Sequence, residues 1–213
     1  MPTAIGRNCR IEVALTFGTV KTVTAVTKAM PGVATSSAHA MTNGTVGRWA
    51  VSAGMVELDG QVSRVYNQAT NSFELQGLDT TDYTTFTAGT FTPVATWGTL
   101  AEAAGYAIGG GEADKLDDTR LQDVKKRNIN GLLSAQDVTI DIRNQTFNTA
   151  VMDAIESAAR RQVAQVYRIT LADGSVRVFG GVPSVPGESV AAGQLASGQI
   201  GITVDGWVLK GAA

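Results

Sequence analysis

NTAVMDAIESAARRQ, Asn148 to Gln162, decides the class of this chain, because it alone has the period of a sustained helix while the segments around it read as short strands. Val151, Ile155, Ala158, Ala159 and Gln162 fall on one flank, and Asp153, Glu156, Ser157, Arg160 and Arg161 occupy the rest. That is the stripe of a surface helix packed on a sheet. Asn148 or Thr149 is placed to cap the first amides, and Arg160 and Arg161 sit where the C-terminal carbonyls favour positive charge. The expectation is a mainly β (α+β) sandwich or barrel with one packed helix.

Working outward, Val138, Ile140 and Ile142 alternate with Thr139, Asp141 and Arg143 as a strand leading into the helix. On the other side Tyr167, Ile169 and Leu171 alternate with Arg168 and Thr170. Asp173-Gly174 then reads as a two-residue hairpin turn, with Ser175 to Phe179 returning. Pro183, Pro186 and Gly187 mark a connection, and Gln199 to Val208 is a final strand with Ile200, Ile202 and Val204 inward. At the start of the chain, Ile11, Val13, Leu15 and Phe17 alternate with Arg10, Glu12, Ala14 and Thr16 as a half-buried strand. Lys21 to Thr27 reads as a second strand pairing back on it.

Residues 28–91 have a different texture: very short strand candidates separated by the turn dipeptides Pro31-Gly32, Asn43-Gly44, Asp59-Gly60 and Asn71-Ser72. They read as a small β module inserted into a domain made of residues 1–27 and 92–213. After Trp97, the glycine-rich Ala104 to Gly111 leads into the most charged stretch, Glu112 to Arg127. There Leu116, Leu121 and Val124 fit neither a helical stripe nor an alternating strand, which predicts a long ordered loop.

Composition narrows the function. The chain has 213 residues, 44% hydrophobic and only 17% charged, with 24 Gly, which suits a folded protein whose surface is partly covered by other subunits. A formal charge of -2 argues against a phosphate-gripping surface, since affinity for nucleic acid comes mainly from Lys and Arg. One cysteine, Cys9, allows neither an internal disulfide nor a thiolate metal cluster. No apolar leader and no bilayer-length apolar run is legible, so no membrane role is expected.

Catalytic and cofactor motifs fail one by one. The single histidine, His39, has no Gly-x-Ser-x-Gly elbow or second His around it, and a surface or capping role is the better reading. Gly109-Gly110-Gly111 is followed by no Gly-Lys-Ser/Thr, so a flexible or close-packed strand end is preferred to a phosphate cradle. Glu112, Asp114, Asp117 and Asp118 lack the spacing of a calcium loop. No enzyme, cofactor or metal is therefore expected. Trp49, Trp97 and Trp207 leave a carbohydrate-binding β-sandwich as an alternative of another class.

The order of strand pair, charged stretch, long strand, single helix, Asp-Gly hairpin, Pro-Gly connection and final strand resembles the tail tube proteins of long-tailed bacteriophages. The likeness is carried by Asp117-Asp118-Thr119-Arg120, Asn130-Gly131-Leu132 and Gly201-Ile-Thr-Val-Asp-Gly-Trp207. The block from His39 through Asp59-Gly60 and Asn71 to Gly89 resembles a small β module inserted in many phage structural proteins, named after the first catalytic-cysteine half-domain of ubiquitin-activating enzymes.

The resemblance implies a structural subunit of the virion tail, assembled in the host bacterial cytoplasm as stacked hexameric rings. Their bore conducts DNA without gripping it and houses a tape measure protein, and tail terminator and baseplate or tip proteins close the ends. The inner tube of a contractile tail or secretion system is the nearest alternative. Asp141 and Asp205, opposite the apolar strand faces, are the candidate lumen residues. Glu112, Asp114, Lys115, Asp117, Asp118, Arg120, Lys125, Lys126 and Arg127 form the candidate contact between rings.

Overall fold

A computed structural model describes residues 8–143 and 149–212. In chain order the strands are β1 (Arg10–Phe17), β2 (Lys21–Val23), β3 (Ala25–Val26), β4 (Val33–Thr35), β5 (Val46–Ala53), β6 (Val62–Ala69), β7 (Ser72–Leu75) and β8 (Ala88–Thr99). They continue with β9 (Ala103–Gly110), β10 (Ala113–Asp117), β11 (Asn128–Leu133) and β12 (Gln136–Arg143). After the helix α1 (Ala150–Arg161) come β13 (Gln165–Thr170), β14 (Val176–Pro183) and β15 (Ser197–Gly211). The fold is mainly β with one α-helix among the described residues, as the periodicity predicts.

The helix follows the expected chemistry. Thr149 caps it, its hydroxyl accepting from Met152 N at 3.2 Å, and Gln162 ends it in the left-handed conformation. Asn148, the other cap candidate, lies outside the described residues. Val151, Met152, Ile155, Ala158 and Ala159 are buried. Gln162 is exposed, so the apolar flank is shifted toward Met152, which completes the stripe one turn earlier.

A single hydrogen-bonded path runs β3-β4-β7-β6-β5-β8-β1-β13-β14-β15-β12-β9, with β2 beside β8 and with β10-β11 forming a separate pair. The path curls, bringing β6 against β14 and β15. Where the curl closes, the buried Gln61 side chain completes it: Nε2 donates to Trp207 O at 3.2 Å and Oε1 accepts from Trp207 N at 3.0 Å. The amide stands in for a strand neighbour.

Two apolar cores result. One gathers Trp49, Phe73, Phe91, Leu58 and Leu75 with Ala14, Val166, Val176, Val178 and Leu209. The other packs Val151, Met152 and Ile155 of the helix against Ile11, Val13, Val138, Ile140, Ile142, Ile169, Phe179, Ile200 and Ile202. Strands from residues 28–91 thus share one hydrogen-bonded path, and one core, with β1, β13, β14 and β15.

Four expectations are corrected. β1 is buried on both faces in its middle, because Ile11 and Val13 enter one core while Ala14 enters the other and Glu12 is buried in an ion pair. A strand central to a curled sheet has no solvent side in its middle, and only its ends, at Arg10 and at Thr16 and Phe17, emerge. β2 does not fold back on β1. The long β8 pairs with β1 along Val94–Thr99 and with β2 along Gly89–Phe91, so the chain steps past Gly18 and runs on beside the same partner.

The Asp173-Gly174 turn is three residues long, not two: Leu171 N bonds Ser175 O, and Gly174 takes a positive φ of 80°. The segment Glu112 to Arg127 is a loop only over 118–127. It is most of a β-hairpin, β10 on β11, whose outer turn spans 118–127.

Candidate functional site

The register of β9, β12 and β15 sorts their side chains into two clean faces. Ile108, Val138 and Ile202 form one row, and Tyr106, Ile140 and Ile200 the next; Val138, Ile202, Ile140 and Ile200 are buried in the helix-bearing core with Tyr106 packed against it, while Ile108 on the edge strand is exposed. The opposite face carries Gly109, Asp137 and Thr203, then Ala107, Thr139 and Gly201, then Gly105, Asp141 and Gln199. It is smooth, short-chained and acidic, with Asp141 accepting a bond from Gln199 Nε2 at 2.9 Å. Arg143, at its end, brings one positive charge.

Asp141 therefore lies on this face, but Asp205 is not beside it. β15 is fifteen residues long, and its second half has left β12 for β14, where Asp205 pairs with Gly180. There it meets Arg48 at 3.7 Å and lies over Gly60. Asp137, which sequence reading passed over, is the second acid of the smooth face. The same alternation, extended back through Gln136, would have found it.

Among the described strands β9 is the outer edge of the path, hydrogen-bonded to β12 alone. Folded proteins normally guard such an edge with Lys, Pro or a covering element. The β9 sequence AAGYAIGG contains neither residue. On the other side of β15, residues 184–189 run alongside it as an irregular border, tied by Ser184 N to Gly201 O, Gly187 N to Gln199 O and a bridge between Ser189 and Ser197.

Beyond Gly110 the β9–β12 hairpin is re-aimed. Gly110 and Gly111 take φ values of 76° and 79°, and a Cβ on Gly110 would strike the Ala135 carbonyl. The triple glycine is thus the bend of a close-packed hairpin. Past it, β10 and β11 form an arm whose apolar side chains have no core: Leu116 and Ile129 are cross-strand partners and half exposed, Leu132 is 84% exposed, and Leu121 and Val124 at the tip are fully exposed.

The charged residues named from sequence are all on or beside this arm. Its turn is held by Asp117, which accepts from the hydroxyl and amide of Thr119, and these bonds hold its carboxyl below the usual range. Lys126 reaches Asp117 and Arg127 reaches Asp118, each at 3.6 Å. Arg120 donates its backbone N–H to Asp123 Oδ2 at 2.9 Å, and Glu112, Asp114, Lys115 and Lys125 are exposed.

The residues of the other readings fall elsewhere. His39 is buried, not on the surface: Nδ1 accepts from Met41 N at 3.0 Å, a local cap, and Nε2 lies 2.8 Å from Ala69 O, so the ring ties its own segment to the β6–β7 hairpin. Trp49 is buried with its indole N–H on Ser63 Oγ at 2.8 Å, and Trp97 is covered by the Arg168 guanidinium. Of the three tryptophans Trp207 alone is exposed, at 45%, so the three do not form a shared stacking surface. Among the described residues no group of His, Cys, Asp and Glu is arranged to hold a metal, and no helix is long and apolar enough to cross a membrane.

No curated protein matches the chain. A protein-family model, described as phage tail tube protein, TTP, matches residues 53–207, a span that includes β6 through most of β15, the arm and the smooth acidic face. With nearly three-quarters of its length inside that match, the chain belongs to the phage tail tube protein family, and it is a structural component of the viral tail.

Proposed function

We propose that identical copies close into a ring, six to a turn, by pairing the bare edge of β9 in one subunit with the irregular 184–189 border of the next. The observation that carries this reading is the unguarded edge itself. An isolated subunit leaves a row of backbone donors and acceptors unsatisfied there, and closure satisfies every one of them. Six copies of β9, β12, β15 and the 184–189 border make a barrel of about 24 strands. At a spacing of about 4.8 Å, with the usual tilt, it is on the order of 45 Å across.

The smooth face then lines the bore. Asp137 and Asp141 repel phosphates over about 8 Å in physiological salt, so DNA passes without being held and a tape measure protein can occupy the channel during assembly. Rings stack through the arm. The arm leaves one end of β9 and β12, while the apolar turn containing Val190 and Leu195, both exposed, lies at the other end of β15 beyond Ser197. A head-to-tail stack brings the tip of one arm to that turn on the next ring, a heterologous contact that does not close and so builds a tube. Terminator and tip proteins would cover the two ends.

Electron microscopy of the purified protein tests the reading. Rings or hollow tubes are expected, and a monomer that stays monodisperse at high concentration would overturn it. For the bore, Asp137→Lys with Asp141→Lys should make assembled tubes retain DNA at low salt; unchanged retention would remove these two residues from the lining.

A further inference from the structure

A cleft between the β1–β13 pair and the Thr42–Thr45 turn is lined by Arg10, Arg64, Arg168, Trp97, Thr42 and Thr45 among others, and no carboxylate is among its lining residues. Beneath it lies one acid. Glu12, 4% exposed, sits directly across from Arg168 in the β1–β13 register. Its carboxylate takes Arg168 Nε at 2.7 Å and Arg10 Nε at 3.3 Å. Three guanidinium groups thus share one negative charge, and guanidinium does not deprotonate in proteins.

Among the described residues no carboxylate other than Glu12 pairs with these arginines. Arg168 lies flat over Trp97, its central carbon 4.3 Å from the ring centre, which fixes the fork but neutralises nothing. Arg64 donates to neutral acceptors, the side-chain oxygen of Gln76 and the carbonyl of Ala212, the latter at 2.9 Å. Partial burial and the charge of Arg168 both push its proton affinity down, as expected for two cations held near each other without an anion.

We propose that this cleft is an oxyanion site, taking a carboxylate or phosphate group between Arg64 and Arg168 with the Thr42 and Thr45 hydroxyls at its rim. Planar two-oxygen groups match the guanidinium fork, and a partly buried setting strengthens the attraction relative to open water. The rigid stacking of Arg168 and the fixed cross-strand pair with Glu12 mean that the site is formed before its ligand arrives. The source of the anion is either a free phosphate or an acidic side chain of a neighbouring copy.

Thermal melts of the unassembled subunit in inorganic phosphate, against chloride at matched ionic strength, test the site. Phosphate should raise the melting temperature, and Arg64→Gln should weaken the affinity about tenfold through loss of one charged partner. Glu12→Gln, which removes the acid competing for the same arginines, should tighten it. No phosphate-specific stabilisation of the wild type would overturn the proposal, as would an affinity unmoved by Arg64→Gln. Arg64 is the more exposed probe, so the test survives even if Glu12→Gln fails to fold. Repeating the titration on assembled tubes separates the sources. Binding retained there identifies free phosphate as the ligand, and binding lost on assembly identifies a neighbour's carboxylate in the cleft; both outcomes support the site.

Discussion

The β9–β12 hairpin and its continuation, β10–β11, are two halves of the same pair of chain segments, yet they solve opposite problems. Before the bend, one face carries Val138, Tyr106 and Ile140 toward a core and the other carries Gly, Ala, Thr and Asp. After it, Leu116 and Ile129 share one face while Leu132 projects with no core beneath it, and among the described residues nothing covers them. Exposed apolar side chains grouped in one patch mark an interaction surface. The first half is built for the fold, and under the proposed function the second serves the assembly.

The sharpest way to break this contrast is to remove the arm. Glu112 and Ser134 are already joined by a backbone bond of 2.9 Å, so deleting residues 113–133 leaves a short connection between them. We expect a soluble subunit with its melting temperature little changed and tube formation abolished. A deletion variant that unfolds would show that the arm supports the core after all.

Single substitutions sharpen it. Ile140→Ala, in the fully buried row, should cost about 3 kcal/mol, whereas Leu132→Ala in the arm should stay within about 0.5 kcal/mol and yet impair assembly. Denaturant melts paired with sedimentation read both quantities. Gly110→Val attacks the boundary itself. It forces a β-branched residue into positive φ against the Ala135 carbonyl, at a cost of about 2 kcal/mol, and should misdirect the arm so that subunits fold but do not stack.

The smallest effect is acidification. The Asp117 carboxyl is held below its ordinary value by Thr119, so its bonds contribute fully above a pH of about 4 and are lost as pH falls through the lowered value. Amide exchange at Thr119 should rise in that range with the core unchanged. Exchange that stays flat would mean that the turn is held by the Lys126 and Arg127 pairs instead.

How much was legible follows the same divide. Wherever one face of a strand is buried, as at Val138 to Ile142 and Ile200 to Val204, alternation marks both the strand and its inward residues. β1 was legible as a strand but not as a central one, because burial on both faces is set by which layers stack on it. The arm left no pattern, since an isolated hairpin with apolar residues on both faces has no inside for a period to report. His39 looked like a surface residue among Ser and Thr, yet the curl buried it where backbone groups needed a partner.

By itself, the sequence determined the β-rich class, the single capped helix, the main core rows and the placement of an acid at Asp141, because each rests on neighbours a few residues apart. Tertiary structure alone decided that Asp137 joins Asp141 while Asp205 goes to Arg48, and that three arginines gather over Glu12. It also left β9 at the edge. The reason is physical: periodicity fixes which way a side chain points, but only the curl and register of the whole sheet fix what stands opposite it.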